Sequence, residues 1–595
     1  MTNPHTSACG VGLQRLPQCC ASAPRGTESA QKGAGSSIGI RSRCPRPQGA
    51  ASLAVKHPTE IELKFLVPQA ARAAVMAELE RGVASLDRTS LTALYLDTAD
   101  RRLARAGMSW RLRREGHRWI QALMSVGSNP LERFEHAAIR PDASPDASEH
   151  AGTVLGNRLI GLLRRAHAEG IEPGVRFRTE VRRTARRIRT RGALVEVAFD
   201  EGRLVAADAS QRIRELEFEL VSGSPQAMLA LVERWRKRFG LLHDPRSKAE
   251  RGDRLADGVP FPPLRKAARP SFTEEAATIE AFGLVLDECL AHITRSAIGV
   301  AEGDPDQRVE HVHQLRVGIR RLRSALRSFD GWVPMPPAEL VAALRSLFAT
   351  LGMSRDSDVL ASGVMAELAQ AGAPPLALPP GPSGPEPADV VRADDAQRTL
   401  LAWIAWRAAL TPPTEAAADP AVEAPANGRS GIAAAGPVEG EPSGAAPDDA
   451  DDRQTGATAS ASGGDARTFR RNASRRLRRW HARIVADWQC FDDLDDAGLH
   501  ALRKRIKRQR YAVEFFAPVL RRRQVERYLD VLTVIQDRMG ALNDLFVARA
   551  RHQALDPPDP AAWFAFGWLA ARIAQLRALA KPELAKLART DPPTH

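Results

Sequence analysis

Cysteine is scarce in this 595-residue chain, which has only six. Cys9, Cys19, Cys20 and Cys44 lie in the first fifty residues, and Cys289 and Cys490 stand alone in helix-like sequence. There is no CxxC pair and no Cys/His ligand spacing, so neither a disulfide framework nor a zinc site is supported, and a reducing compartment is expected. Long apolar runs are also missing. The best candidate, 561–571, stops at Arg572 and reads as a core helix, not a membrane span. The N-terminus lacks the apolar centre of a secretory signal. Aromatics make up only 5% of residues, and the basic helices described below carry no interleaved aromatics on which bases could stack.

Positive charge is abundant. The formal net charge is +14 and the pI is about 10.0, which favours polyanionic partners such as nucleic acid, anionic lipid or phosphate polymers without choosing among them. A chain this long is too large for one core. Residues 1–56 are of low complexity and read as a disordered extension. Residues 57–255 carry period-two segments at Glu60–Val67, Thr92–Leu96, Ser109–Glu115, Arg118–Met124, Arg133–Ala137, Phe177–Arg187, Leu194–Asp200 and Arg214–Val221. Eight such segments fit an antiparallel barrel. A Pro-rich basic linker is expected at 256–271 and an all-α domain at 272–586, broken by an Ala-, Pro-, Gly- and acid-rich insertion at about 411–465. The fold class is α+β and multidomain.

The strand pattern is unusual in its polar face. In TEIELKF (59–65), Ile61, Leu63 and Phe65 alternate with Glu60, Glu62 and Lys64. Arg111 and Arg113 share a face, as do Arg133 and Glu135, Glu196 and Asp200, and Glu215, Glu217 and Glu219. A solvated sheet face mixes Thr, Ser, Gln and Lys, whereas here acids and arginines sort by strand. Closing the sheet with these faces inward makes one lumen with a carboxylate cluster and a guanidinium cluster. Carboxylates suit Mg²⁺ or Mn²⁺, and guanidinium forks suit phosphate.

EIELK (60–64), YLDT (95–98), GMSWRLRRE (107–115), ELEFEL (215–220) and SKAERG (247–252) together resemble the CYTH, or triphosphate tunnel metalloenzyme, family. The resemblance implies an eight-stranded tunnel that hydrolyses inorganic triphosphate or a triphosphate ester with Mg²⁺ or Mn²⁺. By position, it implies a catalytic set of Glu60, Glu62 and Lys64, with metal-side carboxylates at Glu60, Glu62, Glu196, Asp200, Glu217 and Glu219. It implies phosphate ligands at Arg111, Arg113, Arg133, Arg183 and Lys248. One position departs from the family: WIQALM (119–124) ends in Met124 where Lys is usual, and a thioether cannot contact a phosphate oxygen.

The helical half repeats itself. HVHQLRVGIRRLRSALRSF (311–329) places His313, Arg316, Arg320, Arg321, Arg323 and Phe329 at the offsets of His500, Arg503, Lys507, Arg508, Arg510 and Phe516 in LHALRKRIKRQRYAVEFF (499–516). Gly352 and Asp356 match Gly540 and Asp544. The repeat predicts a pseudo-symmetric domain with a basic stripe beside an apolar stripe on each helix. This pattern resembles the CHAD family. That implies polyphosphate binding through His313, Arg316, Arg320, Arg321, Arg323, His500, Arg503, Lys507 and Arg510, and a cytoplasmic protein associated with polyphosphate granules. Other readings remain open on the residues: a non-catalytic polyphosphate binder, motivated by Met124; an adenylyl cyclase-like enzyme; and a nucleic-acid binder on charge alone.

Overall fold

The computed structural model describes residues 59–82, 86–126, 131–374, 384–410, 465–553 and 560–595. The N-terminal extension and nearly all of the 411–465 insertion lie outside the described residues. Eight strands form one antiparallel sheet: β1 (Thr59–Leu66), β2 (Asp87–Thr98), β3 (Met108–Glu115), β4 (Arg118–Val126), β5 (Glu132–Arg140), β6 (Pro173–Thr190), β7 (Ala193–Ala206) and β8 (Ala209–Gly223). Their order is β5-β4-β3-β2-β6-β7-β8-β1, and pairing of β1 with β5 closes the barrel. A ninth strand of two residues, β9 (Leu242–His243), continues along β1 beyond β5. All eight period-two segments are strands. β6, β7 and β8 run well past the alternating stretches, because their ladder pairing continues almost unbroken to the hairpin ends.

The barrel is inverted in polarity. On the outer face, Leu63, Phe65, Val195, Val197, Phe199, Leu216 and Phe218 pack under helix α1 (Pro225–Phe239), through Met228, Val232 and Trp235. Lumen-facing positions are charged around β1, β7 and β8. Toward the β7–β8 hairpin they become apolar: Val181, Leu204 and Ile213 pack on Leu255 of helix α2 (Lys248–Ala256). That helix starts cleanly because Ser247 caps it, accepting a bond from the Glu250 backbone N–H at 3.1 Å.

Helices α3 (Thr278–Glu302), α4 (Arg308–Phe329), α5 (Ala338–Ser362), α6 (Asp394–Ala409), α7 (Ala466–Gln489), α8 (Asp496–Phe516), α9 (Arg522–Gln553) and α10 (Pro560–Ala588) build the second half. The repeated segments are α4 and α8. Their apolar stripes, Leu315, Ile319, Leu322 and Phe329 against Leu502, Ile506, Val513 and Phe516, meet in one core, where the rings of Phe329 and Phe516 lie 5.3 Å apart. The 256–271 segment is tied to this half: Arg265 pairs with Glu288 at 2.6 Å and Ala268 accepts from Arg321 at 2.9 Å. The barrel is also docked onto it. Leu401 and Ile404 of α6 join the barrel's outer core, Arg236 pairs with Asp394 at 2.9 Å, and the His243 N–H donates to Gln397 at 3.0 Å.

The seating of α2 is close. A Cβ on Gly252 would fall 2.1 Å from the Phe177 ring, itself buried and stacked on Tyr95 at 4.5 Å. Gly252→Ala is therefore expected to lower stability by about 1–3 kcal/mol through overpacking, read as a reduced urea midpoint.

Candidate functional site

Closure of the barrel brings Glu60, Glu62, Lys64, Arg111, Arg113, Arg133, Arg183, Glu196, Asp200, Glu217, Glu219 and Lys248 to the walls of one cavity of about 610 Å³. The register sets the arrangement. Glu62 faces Glu219 across β1–β8, and Glu219 faces Glu196 across β7–β8. Glu60 faces Arg133, Lys64 faces Glu217, and Asp200 faces both Arg183 and Glu215. The acids thus occupy β1, β7 and β8, and Arg111 and Arg113 stand on β3.

Within the lumen, acids and bases are paired with one another. Lys248 Nζ reaches Asp200 at 2.6 Å, Glu217 at 2.9 Å and Glu215. Arg183 forks onto Asp200 with both bonds at 2.7 Å and also reaches Glu217. Lys64 bridges Glu217 at 2.9 Å and Glu62 at 3.1 Å, and Arg133 pairs with Glu62. Arg111 lies 3.3 Å from Glu135, Arg113 beside Glu115, and Glu196 3.2 Å from Arg187. Burial pushes the Glu217 carboxyl up, but Lys248, Lys64 and Arg183 outweigh it and hold the group well below the usual carboxylate range. Asp200 is lowered in the same way, its burial outweighed by Lys248 and Arg183. Burial, and then Arg111, lower the Arg113 value.

The donor set is one a hard divalent cation would accept, since every ligand atom is a carboxylate oxygen. Asp200, Glu215 and Glu217 offer oxygens within 4.8 Å of one another, all buried. The Lys248 ammonium, however, touches all three, so this cluster already holds a cation of the protein's own. Glu62, Glu219 and Glu196 stand in direct register across β1, β8 and β7, with Glu60 beside them on β1, and here too protein cations are present, Lys64 and Arg133 on Glu62 and Arg187 on Glu196.

Met124 lines the same cavity and packs on the apolar cluster around Tyr95 and Phe177. It stands between Ser109 of β3 and Glu135 of β5, so the wall carrying Arg111 and Arg113 has a thioether in it. Sequence reasoning left Glu215 off the site although it shares the face of Glu217 and Glu219. It also missed Glu250 and Arg295, which line the cavity too. Periodicity gives no signal for either, as both lie on helices outside the strands.

In the helical half the repeated basic positions divide. Arg321 is buried, pairs with Glu514, and lies over the rings of Tyr511 and Phe515 at 5.5 and 5.1 Å, so it joins α4 to α8. Arg316 is also buried, lies 4.8 Å over Phe348 and bonds the Gly352 carbonyl at 3.4 Å. His500 contacts Asn543 at 2.9 Å. His313 and Arg323 are half-buried on α4. Arg320, Arg503, Lys507 and Arg510 converge: burial, then repulsion from Arg503 and Arg320, lower Lys507 to about 7, with Asp544 opposing and Arg510 adding. Burial also lowers Arg503, with Asp544 opposing and Arg320 reinforcing. The Asp356 side chain lies outside the described residues.

A closed antiparallel barrel with a charged lumen, followed by a duplicated helical domain, defines the class of this protein. Residues 58–252 match the CYTH domain and residues 284–553 the CHAD domain, so the chain carries a CYTH domain followed by a CHAD domain. An inorganic triphosphatase of Haemophilus influenzae is 30% identical over 160 residues, 27% of this chain and 44% of that protein; the match thus spans less than half of the curated relative. Among solved structures, the CHAD domain of the plant Ricinus communis is 26% identical over 54% of this chain and 96% of that one, with a TM-score of 0.37. A Hippeastrum protein assigned as an adenylyl cyclase, with a dominant triphosphatase activity, is 18% identical over 33% of this chain and 96% of that one, with a TM-score of 0.25. No described helix is long and apolar enough to cross a membrane.

Lys507 gives a pH signature. Its folded value of about 7 lies below the ordinary lysine value of 10.5, so between these limits the unfolded chain binds more protons and stability rises with pH. Lys507→Gln is expected to lose this rise. The difference in urea midpoint between wild type and variant should shift in the wild type's favour from pH 7 to 10.

Proposed function

We propose that the barrel hydrolyses a short linear triphosphate, inorganic triphosphate or a triphosphate ester, with Mg²⁺ or Mn²⁺, and that the helical domain holds inorganic polyphosphate. The observation carrying the barrel reading is the self-neutralised lumen. An anion that drew Lys64, Arg133, Arg183 or Lys248 away from their carboxylates would leave buried acids uncompensated, at about 3–5 kcal/mol per broken pair. A cation alone would strand the bases in the same way. Anion and divalent cation together satisfy both sets, and a triphosphate brings enough phosphate oxygens to reach several bases at once.

In this reading Arg111, Arg113, Arg133, Arg183, Lys64 and Lys248 hold phosphate oxygens, and Arg forks suit them bidentately. Glu60, Glu62, Glu196 and Glu219 would hold the cation, which when bound draws charge from the phosphoryl oxygens and acidifies water. Asp200 and Glu217, kept ionised by their neighbours, accept hydrogen bonds and orient Lys248, Arg183 and Lys64. The enclosed lumen keeps reacting groups aligned and bulk water low, which is most of what phosphoryl transfer requires of a protein.

Met124 supports a second reading, binding without turnover, because it removes a cation from the Arg111/Arg113 wall. A phosphate-release panel separates the two: triphosphate, ATP, thiamine triphosphate and long polyphosphate, each with Mg²⁺ and Mn²⁺. Metal-dependent release from a short triphosphate is expected. Glu62→Gln should reduce it by roughly a hundredfold or more while the protein stays folded. Full activity in that variant would sink the assignment. Met124→Lys in the same assay should lower KM. If wild type releases nothing and Met124→Lys does, the lumen has drifted to binding.

The polyphosphate reading rests on the convergence of Arg320, Arg503, Lys507 and Arg510 from the two repeats. Arg320, Arg503 and Lys507 repel one another, while Arg510 beside them also pairs with Glu514 at 2.9 Å, and a polyanion spanning both helices would relieve that repulsion. Replacing Arg320, Arg503 and Lys507 with Gln should weaken polyphosphate binding. By analogy with counterion release on nucleic acids, the salt dependence should flatten by about two to three units of slope. A salt titration of polyphosphate affinity with duplex DNA as competitor checks this. An unchanged slope would remove these residues from the site, and preference for DNA would promote a nucleic-acid function.

A further inference from the structure

The barrel's cavity is not built by the barrel alone. Arg295 of α3, in the helical domain, lines it beside Arg133 and Glu250. The guanidinium donates to both oxygens of Glu250, at 2.6 and 2.8 Å. Glu250 sits three residues after the cap Ser247, at the position where a capping-box glutamate would turn back onto the Ser247 N–H. Ser247 performs its half of that exchange, but the Glu250 carboxylate is given to Arg295 of the other domain instead. The first turn of α2 is thereby held from both sides. That turn carries Lys248, among the described residues the one side chain touching Asp200, Glu215 and Glu217 together.

We propose that Arg295 is a positioning residue for the tunnel. Through Glu250 it fixes the start of α2 and so places the Lys248 ammonium among the lumen acids, making the barrel's charge arrangement depend on the helical domain. Other contacts across the boundary, such as Arg236 with Asp394, lie at the outer face under α1 and hold the domains together without entering the lumen. Arg295 differs in reaching the lumen itself. Arg133 is close enough that burial and then Arg295 both lower its value, with Glu217 and Glu250 opposing.

The test is a cycle in the full chain: Arg295→Gln, Glu250→Gln, the double variant, and the charge swap Arg295→Glu with Glu250→Arg. Two readouts are taken. Hydrogen exchange over 247–256 needs no turnover. It should be roughly tenfold faster in each single variant, no faster in the double, and slowed again by the swap, with the rest of the barrel unchanged. The kinetic readout rests on the barrel being a triphosphate site. KM for triphosphate should rise roughly three- to tenfold in either single variant, with the double no worse than either and kcat little changed. Unaltered exchange in Arg295→Gln overturns the proposal. So does opposite behaviour of the singles, with Glu250→Gln tightening triphosphate and Arg295→Gln weakening it, since that would make Arg295 a direct phosphate ligand. If wild type releases no phosphate, the reading of the barrel fails and the exchange data alone decide the role of Arg295.

Discussion

Asp200, Glu215 and Glu217 are buried together in the lumen, and the contact of the Lys248 ammonium with all three is the interaction on which the rest of the barrel depends. Three carboxylates so close cannot all stay ionised without compensation. Arg183 and Lys64 share the task, but they come from strands whose register is already fixed. Lys248 comes from a helix that must be delivered to the lumen. Its delivery needs the apolar seat formed by Val181, Leu204 and Ile213, the absence of a side chain at Gly252, and the Ser247 cap. Fold and charge are therefore solved by one element, and strain in α2 is felt directly by the lumen electrostatics.

The two halves treat charge in opposite ways. In the barrel every expected phosphate ligand sits beside an acid, so the cavity is close to neutral and admits an anion only in exchange for something that satisfies the acids. In the helical half burial, and then Arg503 and Arg320, lower Lys507 to about 7 against the opposing pull of Asp544. An enclosed, balanced lumen suits a short ligand arriving with a counter-ion. A cluster of half-buried bases drawn from two helices suits a polymer that can touch several of them at once. The Phe348 ring lies 4.8 Å from the Arg316 guanidinium and 5.9 Å from that of Arg320, a cation–π contact for each.

The domains share more than a linker. Leu401 and Ile404 are part of the barrel's outer core, and Arg295 lines its inner cavity. The barrel's apolar outer face demands a cover, which α1 shares with Val75 and Leu79 of the 72–80 helix, Leu159 of the 154–168 helix, and Leu401 and Ile404 of α6. That packing brings α3 close enough for Arg295 to reach Glu250. An inverted barrel, apolar outside and charged inside, leads to such dependence, because its exterior behaves as a core that needs a second layer.

The sequence by itself determined which side chains share a face. Period-two alternation placed Glu60, Glu62 and Lys64 opposite Leu63 and Phe65, and sorted acids onto three strands. The helical period placed basic stripes beside apolar ones in both repeats. Backbone geometry alone fixes such facing, so it is legible without a fold. Tertiary structure decided what each face meets. Closure of β1 onto β5 and the cross-strand registers chose which acid pairs with which base, placing Asp200 and Glu217 with Lys248 and leaving Glu62, Glu219 and Glu196 in a row. Packing of α4 on α8 separated Arg321, buried on Glu514, from Arg320, which faces Arg503 and Lys507, although the two arginines are neighbours in the chain. Arg295 was invisible to pattern, since its partner Glu250 lies 45 residues away on an element of the other domain. Facing is a local property of the chain, whereas pairing depends on contacts between residues far apart in sequence, and only the folded molecule brings those together.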